Sequence, residues 1–323
     1  MCTRVLWTDS GQGPIVGRSM DWAQEIDTAL WVMPRGPERG GEPGDPNPLR
    51  WRAKYGSVVA TVWDEAVSDG LNERGLGAHI LWLAESDFGA RDPELPAVTV
   101  TAWAQYALDC FETVDAFARS MQTHPFQVRA VQEAHSGRTG TVHLAVEDAS
   151  GDSALIEYLD GEPVVHRGPN TRVTTNSPPF EQQLAHLRAY EGFGGDRPLP
   201  GTTAPPDRFV RAAYYSQRLP KAGTPERSYA ELLSVMRNAS QPFGTGDPGH
   251  PEVAATLWRT LADLGRGVYA FESSFRPDPV WVHLDALNLD RYQRLDLAGP
   301  DVRGDATELF EPGSEFVFPP FGG

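Results

Sequence analysis

The sequence predicts an α+β protein in which antiparallel sheets are covered by helices. Three observations carry that expectation. Strand-like segments recur along the chain, and most are joined by hairpin-type turns. Segments with apolar residues three and four apart fall into two groups. Strand runs precede, separate and follow those groups. Two arrangements fit this order: a four-layer αββα sandwich, with helices around two sheets, and a simpler two-layer α+β fold. The chain has 323 residues, enough for a substantial core, and reads as one domain spanning 1–323.

The elements follow in order. CTRVLWTD and PIVGRSMDW form a hairpin over SGQGP. TALWVMP, SVVATVWD and GLGAHILWLAE continue the strands. VTVTAWAQYALDCFETVDAFARSMQ is the first helical group. TVHLAVEDASGDSALIEYLDGEPVVHR reads as three strands turning at DASGD and LDGE. PPFEQQLAHLRAY, DRFVRAAYYSQRL and SYAELLSVMRNAS form the second helical group, and TLWRTLAD, GVYAFESSF and VWVHLDAL are the last strands. Two stretches rich in Pro and Gly, Pro34–Arg50 and Gly194–Asp207, read as surface loops. Strand signals continue on both sides of each, so neither divides the chain.

The net charge of -16 repels phosphate backbones and anionic lipids, which excludes nucleic acid and membrane surfaces as partners. The sequence has no transmembrane run and no visible signal peptide, and as written it reads as cytoplasmic. A leader preceding it would make it periplasmic or extracellular. Two cysteines, Cys2 and Cys110, make neither a disulfide framework nor a zinc site. Cys110 lies in an apolar helical stretch and reads as an inert core residue.

Cys2 is different, because it follows the initiator methionine. Removal of Met1 requires a small second residue and would leave a thiol and an α-amine on one residue. A free thiol titrates near ~8.5 and an α-amine near ~7.7–8.0, so nucleophile and base stand together. A nearby cation favours the thiolate. VGRSMDW puts Arg18 and Asp21 near the end of the strand that pairs with the Cys2 strand. Arg18 is a candidate to stabilise the thiolate and Asp21 to hold the protonated α-amine; the competing reading is a structural ion pair. Asn176 in TTNSPPFEQQL is placed either to donate to an oxyanion or to cap a turn. Arg208 and Arg211, near a helix start, offer one side chain to the site or line a solvated face.

Taken together and in this order, M-C-T, G-R-S-M-D, L-N-E-R-G-L, T-N-S-P-P-F and D-R-F-V-R-A resemble the choloylglycine hydrolase family, from Cys2 to about Asn288. That family contains bile salt hydrolases and penicillin V acylases. The resemblance implies an N-terminal nucleophile hydrolase of αββα fold. It implies that Cys2 is the nucleophile and its own α-amine the base. Arg18 and Asp21 would flank it, and Arg208 would complete the polar network. The Asn176 side chain and the Trp82 backbone N–H would be oxyanion donors, while Asn72 shapes a turn. The family's chemistry uses no metal or organic cofactor. Its members act on small N-acyl amides and favour homo-oligomers, tetramers in particular.

Trp22 and Trp82, with SMDW, LWLAES and GDSALIEYLDGE, look like the penicillin V acylase branch of Gram-negative bacteria. So does the short segment between Asn176 and Arg208. Met20, Trp22, Trp82 and His79 are the pocket candidates; His79 also reads as a structural histidine. Two indoles beside the nucleophile are expected to make a flat apolar slot for a phenoxyacetyl group or a straight acyl chain. Trp7, Trp31, Trp51, Trp63, Trp103, Trp258 and Trp281 read as core. The activity implied is hydrolysis of penicillin V, of acyl-homoserine lactones, or of both, through a Cys2 thioester. The alternatives are a conjugated bile salt hydrolase, a glutamine amidotransferase and a non-catalytic binding protein keeping the fold. Thr3, where the amidotransferases usually continue with glycine, argues against the second of these.

Overall fold

The computed structural model describes residues 2–41, 44–132, 137–244 and 254–319, and it has the four-layer arrangement. The N-terminal hairpin is β1 (Cys2–Trp7) and β2 (Ile15–Asp21). Four strands follow: β3 (Ala29–Met33), β4 (Ser57–Val62), β5 (Ala66–Asn72) and β6 (Gly77–Trp82). Helices α1 (Val100–Cys110) and α2 (Val114–Thr123) lead to β7 (Val142–Glu147), β8 (Ser153–Leu159) and β9 (Glu162–Arg167). Then come α3 (Phe180–Leu187), α4 (Pro205–Ser216) and α5 (Pro225–Ala239). The last strands are β10 (Thr256–Asp263), β11 (Val268–Ser273), β12 (Val280–His283) and β13 (Gln293–Asp296).

One sheet runs β1–β2–β10–β11–β12, with Val173–Thr174 paired to the outer side of β1. The other runs β9–β8–β7–β6–β5–β4–β3–β13, with Glu311–Pro312 at its β13 edge. The labelled neighbours in both are antiparallel, which suits their hairpin links. Helices α4 and α5 cover the first sheet over β1 and β2, and α1 covers the second over β5 and β6.

Side-chain alternation along β1 and β2 explains what faces what. Arg4 donates to Glu147 of the second sheet, so Cys2, Arg4 and Leu6 face that sheet. Arg18 reaches the Ile80 carbonyl, so Val16, Arg18 and Met20 do the same. Gly17 faces α5 instead. A Cβ there would stand 2.7 Å from Cγ of Met236, so only glycine lets this helix lie so close.

The second sheet has an opening that matters for the site. β5 pairs with β6 only from Asp69 to Leu71, opposite Gly77–His79. It stays paired with β4 as far as Ala66, through a bulge at Ala60/Thr61. The first residues of β5 therefore leave β6, at the end of the sheet where β6 reaches Trp82.

The structure departs from the sequence expectations in four places. β5 was not foreseen, because AVSDGLN carries Ser68, Asp69 and Asn72, all buried. The first helical group is two helices, broken where the Thr113 side chain accepts the Ala116 N–H and caps α2. Part of the Pro34–Arg50 loop is a ribbon pairing Glu38–Gly40 with Arg50–Arg52, and buried Arg39 forms an ion pair with Asp109 at 2.6 Å. Residues 42 and 43 of that loop lie outside the described residues. Trp281, expected in the core, is 38% exposed on β12. Among the described residues no helix is long and apolar enough to cross a membrane.

Candidate active site

Cys2 is buried at the start of β1, and its register partner on β2 is Met20. The Arg18 Nη2 lies 3.4 Å from Cys2 Sγ and donates to the Ile80 carbonyl at 2.9 Å. The guanidinium sits 4.5 Å from the centroid of the Trp258 ring, whose face attracts a cation. Arg18 is fully buried, and among the described residues its Nε and Nη1 have no hydrogen-bond partner. Among the described residues it forms no ion pair with a carboxylate. A buried cation costs several kcal/mol unless it is balanced, and the groups around this one are a π-face, a carbonyl, the Met20 thioether and a thiol. Trp258, expected only as core, is thus part of the site.

Arg208 enters from α4 on the other side of β1. Its Nη1 donates to the Cys2 carbonyl at 2.7 Å and to Thr3 Oγ1, and its Nη2 to Asn176 Oδ1 at 2.8 Å. It also pairs with Asp21 at 3.4 Å. Burial draws its pKa below the usual arginine range, against the opposing charges of Asp21 and Cys2. Asp21 accepts from Thr256 Oγ1 and from Gln241 Nε2. Arg211 turns away and donates to the carbonyls of Pro200 and Thr202.

Asn176 joins these groups to β6. Its Oδ1 accepts the Cys2 backbone N–H at 2.7 Å, and its Nδ2 donates to the Trp82 carbonyl at 2.7 Å. The segment around it is held by a buried chain of contacts: His143 meets the Thr175 carbonyl and Glu157, and Glu157 accepts the Phe180 N–H at the start of α3. Burial opposes ionisation of Glu157, but His143 and His166 overcome it and hold the pKa at about 2.

The direction of the Trp82 N–H follows from ladder parity. Leu83 donates to Thr141, so Trp82, opposite Val142, occupies a non-bonded position on that side. Its N–H and C=O therefore both point away from β7, toward the side on which the Trp82 carbonyl meets Asn176 and the Ile80 carbonyl meets Arg18.

A cavity of about 290 Å³ opens at Cys2, Arg18 and Met20. Its lining also includes Trp22, Ile80, Trp82, the Ala66–Ser68 start of β5, Val100, Val142 and Pro319. It thus threads the opening between β5 and β6, from the space between the sheets to the α1 side. Trp22 and Trp82 meet edge to face, with centroids 5.6 Å apart and planes at 61°. They form a corner rather than the flat slot expected of them. Trp63 lines the cavity too, although the sequence reading put it in the core.

His79 does not line the cavity. Alternation on β6 turns it toward the first sheet, where Nδ1 meets Asp69 at 2.5 Å and Nε2 meets Glu147. Burial alone would lower its pKa, but the charges of Glu147 and Asp69 raise it to about 9. Arg4 on Glu147 and Tyr269 on Asp69 extend this cluster between the two sheets. Asn72 shapes its turn as expected, accepting from Arg74 and Leu76 and donating to Leu108 and Phe111. Burial pushes the Cys110 thiol up to about 12, which suits an unreactive residue. Among the described residues no group of three His, Cys, Asp or Glu side chains is arranged to hold a metal ion.

Comparison with known proteins gives the following. The family model described as "Linear amide C-N hydrolases, choloylglycine hydrolase family" matches residues 2–297. A penicillin V acylase of Pectobacterium atrosepticum is 40% identical over 346 aligned residues, covering 98% of this chain and 92% of that one. The solved structure of a penicillin V acylase from Agrobacterium tumefaciens superposes with a TM-score of 0.90 at 40% identity, covering 99% of this chain and all of its own. A conjugated bile acid hydrolase from Clostridium perfringens shares the fold, with a TM-score of 0.77 at 20% identity, covering 94% of this chain and 98% of that one.

Proposed function

The chain belongs to the choloylglycine hydrolase family of linear amide C–N hydrolases, and from that premise we propose that Cys2, freed of Met1, cleaves N-acyl amides bearing apolar acyl groups. The observation that carries this reading is Arg18: a fully buried guanidinium with no carboxylate partner among the described residues, 3.4 Å from Cys2 Sγ at the opening of an apolar cavity. The cation favours the negative charge that develops on Sγ as the Cys2 thiol gives up its proton.

The steps follow from the groups present. Sγ attacks the amide carbonyl carbon while its proton passes to the Cys2 α-amine. The oxyanion takes the Trp82 N–H and the second N–H of the Asn176 amide, the first being engaged with the Trp82 carbonyl. The C–N bond breaks and the α-amine returns the proton to the leaving nitrogen, so a thioester remains on Cys2. Water, giving its proton to the same amine, attacks the thioester. The C–S bond breaks, the acid leaves and the thiol is restored. Asn176 and Arg208 orient Cys2 through its nitrogen and carbonyl, and Asp21 balances Arg208.

The cavity supports penicillin V and acyl-homoserine lactones as substrates, since each joins an apolar acyl group to a polar amine. Two relatives at 40% identity are named penicillin V acylases. Identity is 40% to the penicillin V acylase structure but 20% to the conjugated bile acid hydrolase, which disfavours a conjugated bile salt. A cytoplasmic homo-oligomer, most simply a tetramer, completes the proposal; cell fractionation and sedimentation velocity test it.

The main experiment is a released-amine assay on penicillin V, a long-chain acyl-homoserine lactone and glycodeoxycholate. We expect turnover of one or both of the first two and little of the third, with all turnover abolished in Cys2→Ala. Full activity in Cys2→Ala, or in protein whose intact mass retains Met1, would refute the mechanism. Preference for the bile salt would refute the substrate reading.

A further inference from the structure

We infer that the segment Gly313–Pro319 forms the wall that sets which acyl groups the cavity admits, with Pro319 as the specificity-determining residue. The inference rests on reading the cavity as the acyl site. It concerns a stretch beyond residues 2–297, the part the family model matches.

The route of the cavity fixes where this wall acts. Cys2, Arg18 and Met20 face the space between the sheets. Val67, Val100 and Val142 belong to the core between the second sheet and α1, and so do Phe316 and Phe318. The cavity touches both groups and Pro319 as well. An acyl group whose carbonyl carbon is at Cys2 therefore extends through the opening between β5 and β6, and its far end reaches the α1 side, where Pro319 lies.

The segment is anchored. The Gly313 N–H donates to the Tyr292 carbonyl at 3.0 Å, beside the pairing of Glu311–Pro312 with β13. A Cβ at Gly313 would stand 2.9 Å from the Trp31 ring, so the chain crosses that indole closely. Phe316 packs edge to face on Trp31, with centroids 5.2 Å apart, and Phe318 packs on Phe316 at 5.1 Å. Val317 between them is 74% exposed. Phe316 and Phe318 are buried and turn inward, whereas Val317 turns out, and Pro319 beyond them lines the cavity.

Trp31 links this segment to a second wall of the same cavity. Its Nε1 donates to Asp64 at 2.8 Å, and Asp64 also accepts from Thr61 and Arg294. Trp63 and Asp64 both have positive φ, 53° and 51°, a conformation that aspartate tolerates and a side chain as bulky as Trp63 seldom adopts. The bonds to Asp64 hold that turn and with it Trp63, which lines the cavity. One buried indole therefore sets two walls.

The test uses full-length protein with Cys2→Ala, so that ligands bind without turnover, and two probes: N-hexanoyl- and N-dodecanoyl-L-homoserine lactone. Added bulk at the wall, Pro319→Trp, should weaken the dodecanoyl probe about tenfold and leave the hexanoyl probe within about twofold. Pro319→Leu should move the ratio the same way by less. Val317→Trp, with the same bulk turned to solvent, should change neither. An unchanged ratio in both Pro319 variants, an equal loss for both probes, or an equal effect from Val317→Trp would overturn the inference. Failure of both probes to bind while penicillin V binds would overturn the inference and leave the acyl-site reading standing; failure of all three to bind would overturn both. Binding with the expected ratio, but no hydrolysis by protein retaining Cys2, would refute the proposed catalysis and leave the wall standing.

Discussion

At the scale of single residues, the informative feature is a charge with almost nothing to neutralise it. Arg18 is buried over an indole face, and the acidic group within its reach is the Cys2 thiol. Arg18→Met keeps much of the volume and removes the charge. Its kcat/KM should fall by about 10²-fold or more while the fold, followed by circular dichroism, stays intact; full activity would show that the cation does not serve the nucleophile. Cys2, Arg18, Asp21, Asn176 and Arg208 were all legible in the sequence because short motifs carry them, and the structure gathers them at one end of β1. Trp63 was not legible: its role depends on a backbone φ that no hydrophobic pattern encodes. Of the two readings His79 carried, the structural one holds and the pocket one does not, because one position along a strand exchanges one face of the sheet for the other.

At the scale of elements, β5 shows why a strand escapes a reading based on hydrophobicity. Its Asp69 is buried, yet it is satisfied by His79 and Tyr269, so a polar residue in the sequence is a paired one in the fold. The same cluster makes the joint between the sheets sensitive to pH. The His79 pKa of about 9 lies above its ordinary 6.5. Its stabilisation is therefore complete below pH 6.5 and is lost as pH rises through 9, by up to roughly 3 kcal/mol. The midpoint of urea unfolding should fall over that range; a flat profile would show that His79 is not charged in the folded protein. Glu147 works in the opposite direction. Burial resists its ionisation, but Arg4 and His79 hold its pKa at about 2, so its contribution is lost only in acid.

At the scale of the whole molecule, the sequence left two layer arrangements open. Alternation along a strand shows that one face is buried but not what buries it, and Arg4 reaching Glu147 across the two sheets is the kind of long-range contact that decides it. The cavity was equally out of reach, since its lining runs from Cys2 to Pro319 and its passage exists because two strands part after three paired residues. That parting has a kinetic consequence. In the proposed reaction, once the C–N bond breaks, the amine has no covalent tie to the protein, whereas the acyl group would remain threaded between the strands on Cys2. The amine therefore departs first, and the liberated acid is left occupying the route the next substrate must use. Initial-rate measurements should find the acid a competitive inhibitor and the amine not, and a reversed pattern would mean that the acyl group leaves by another path. Longer acids, filling more of the passage, should inhibit at lower concentrations, so that turnover slows as its own product accumulates.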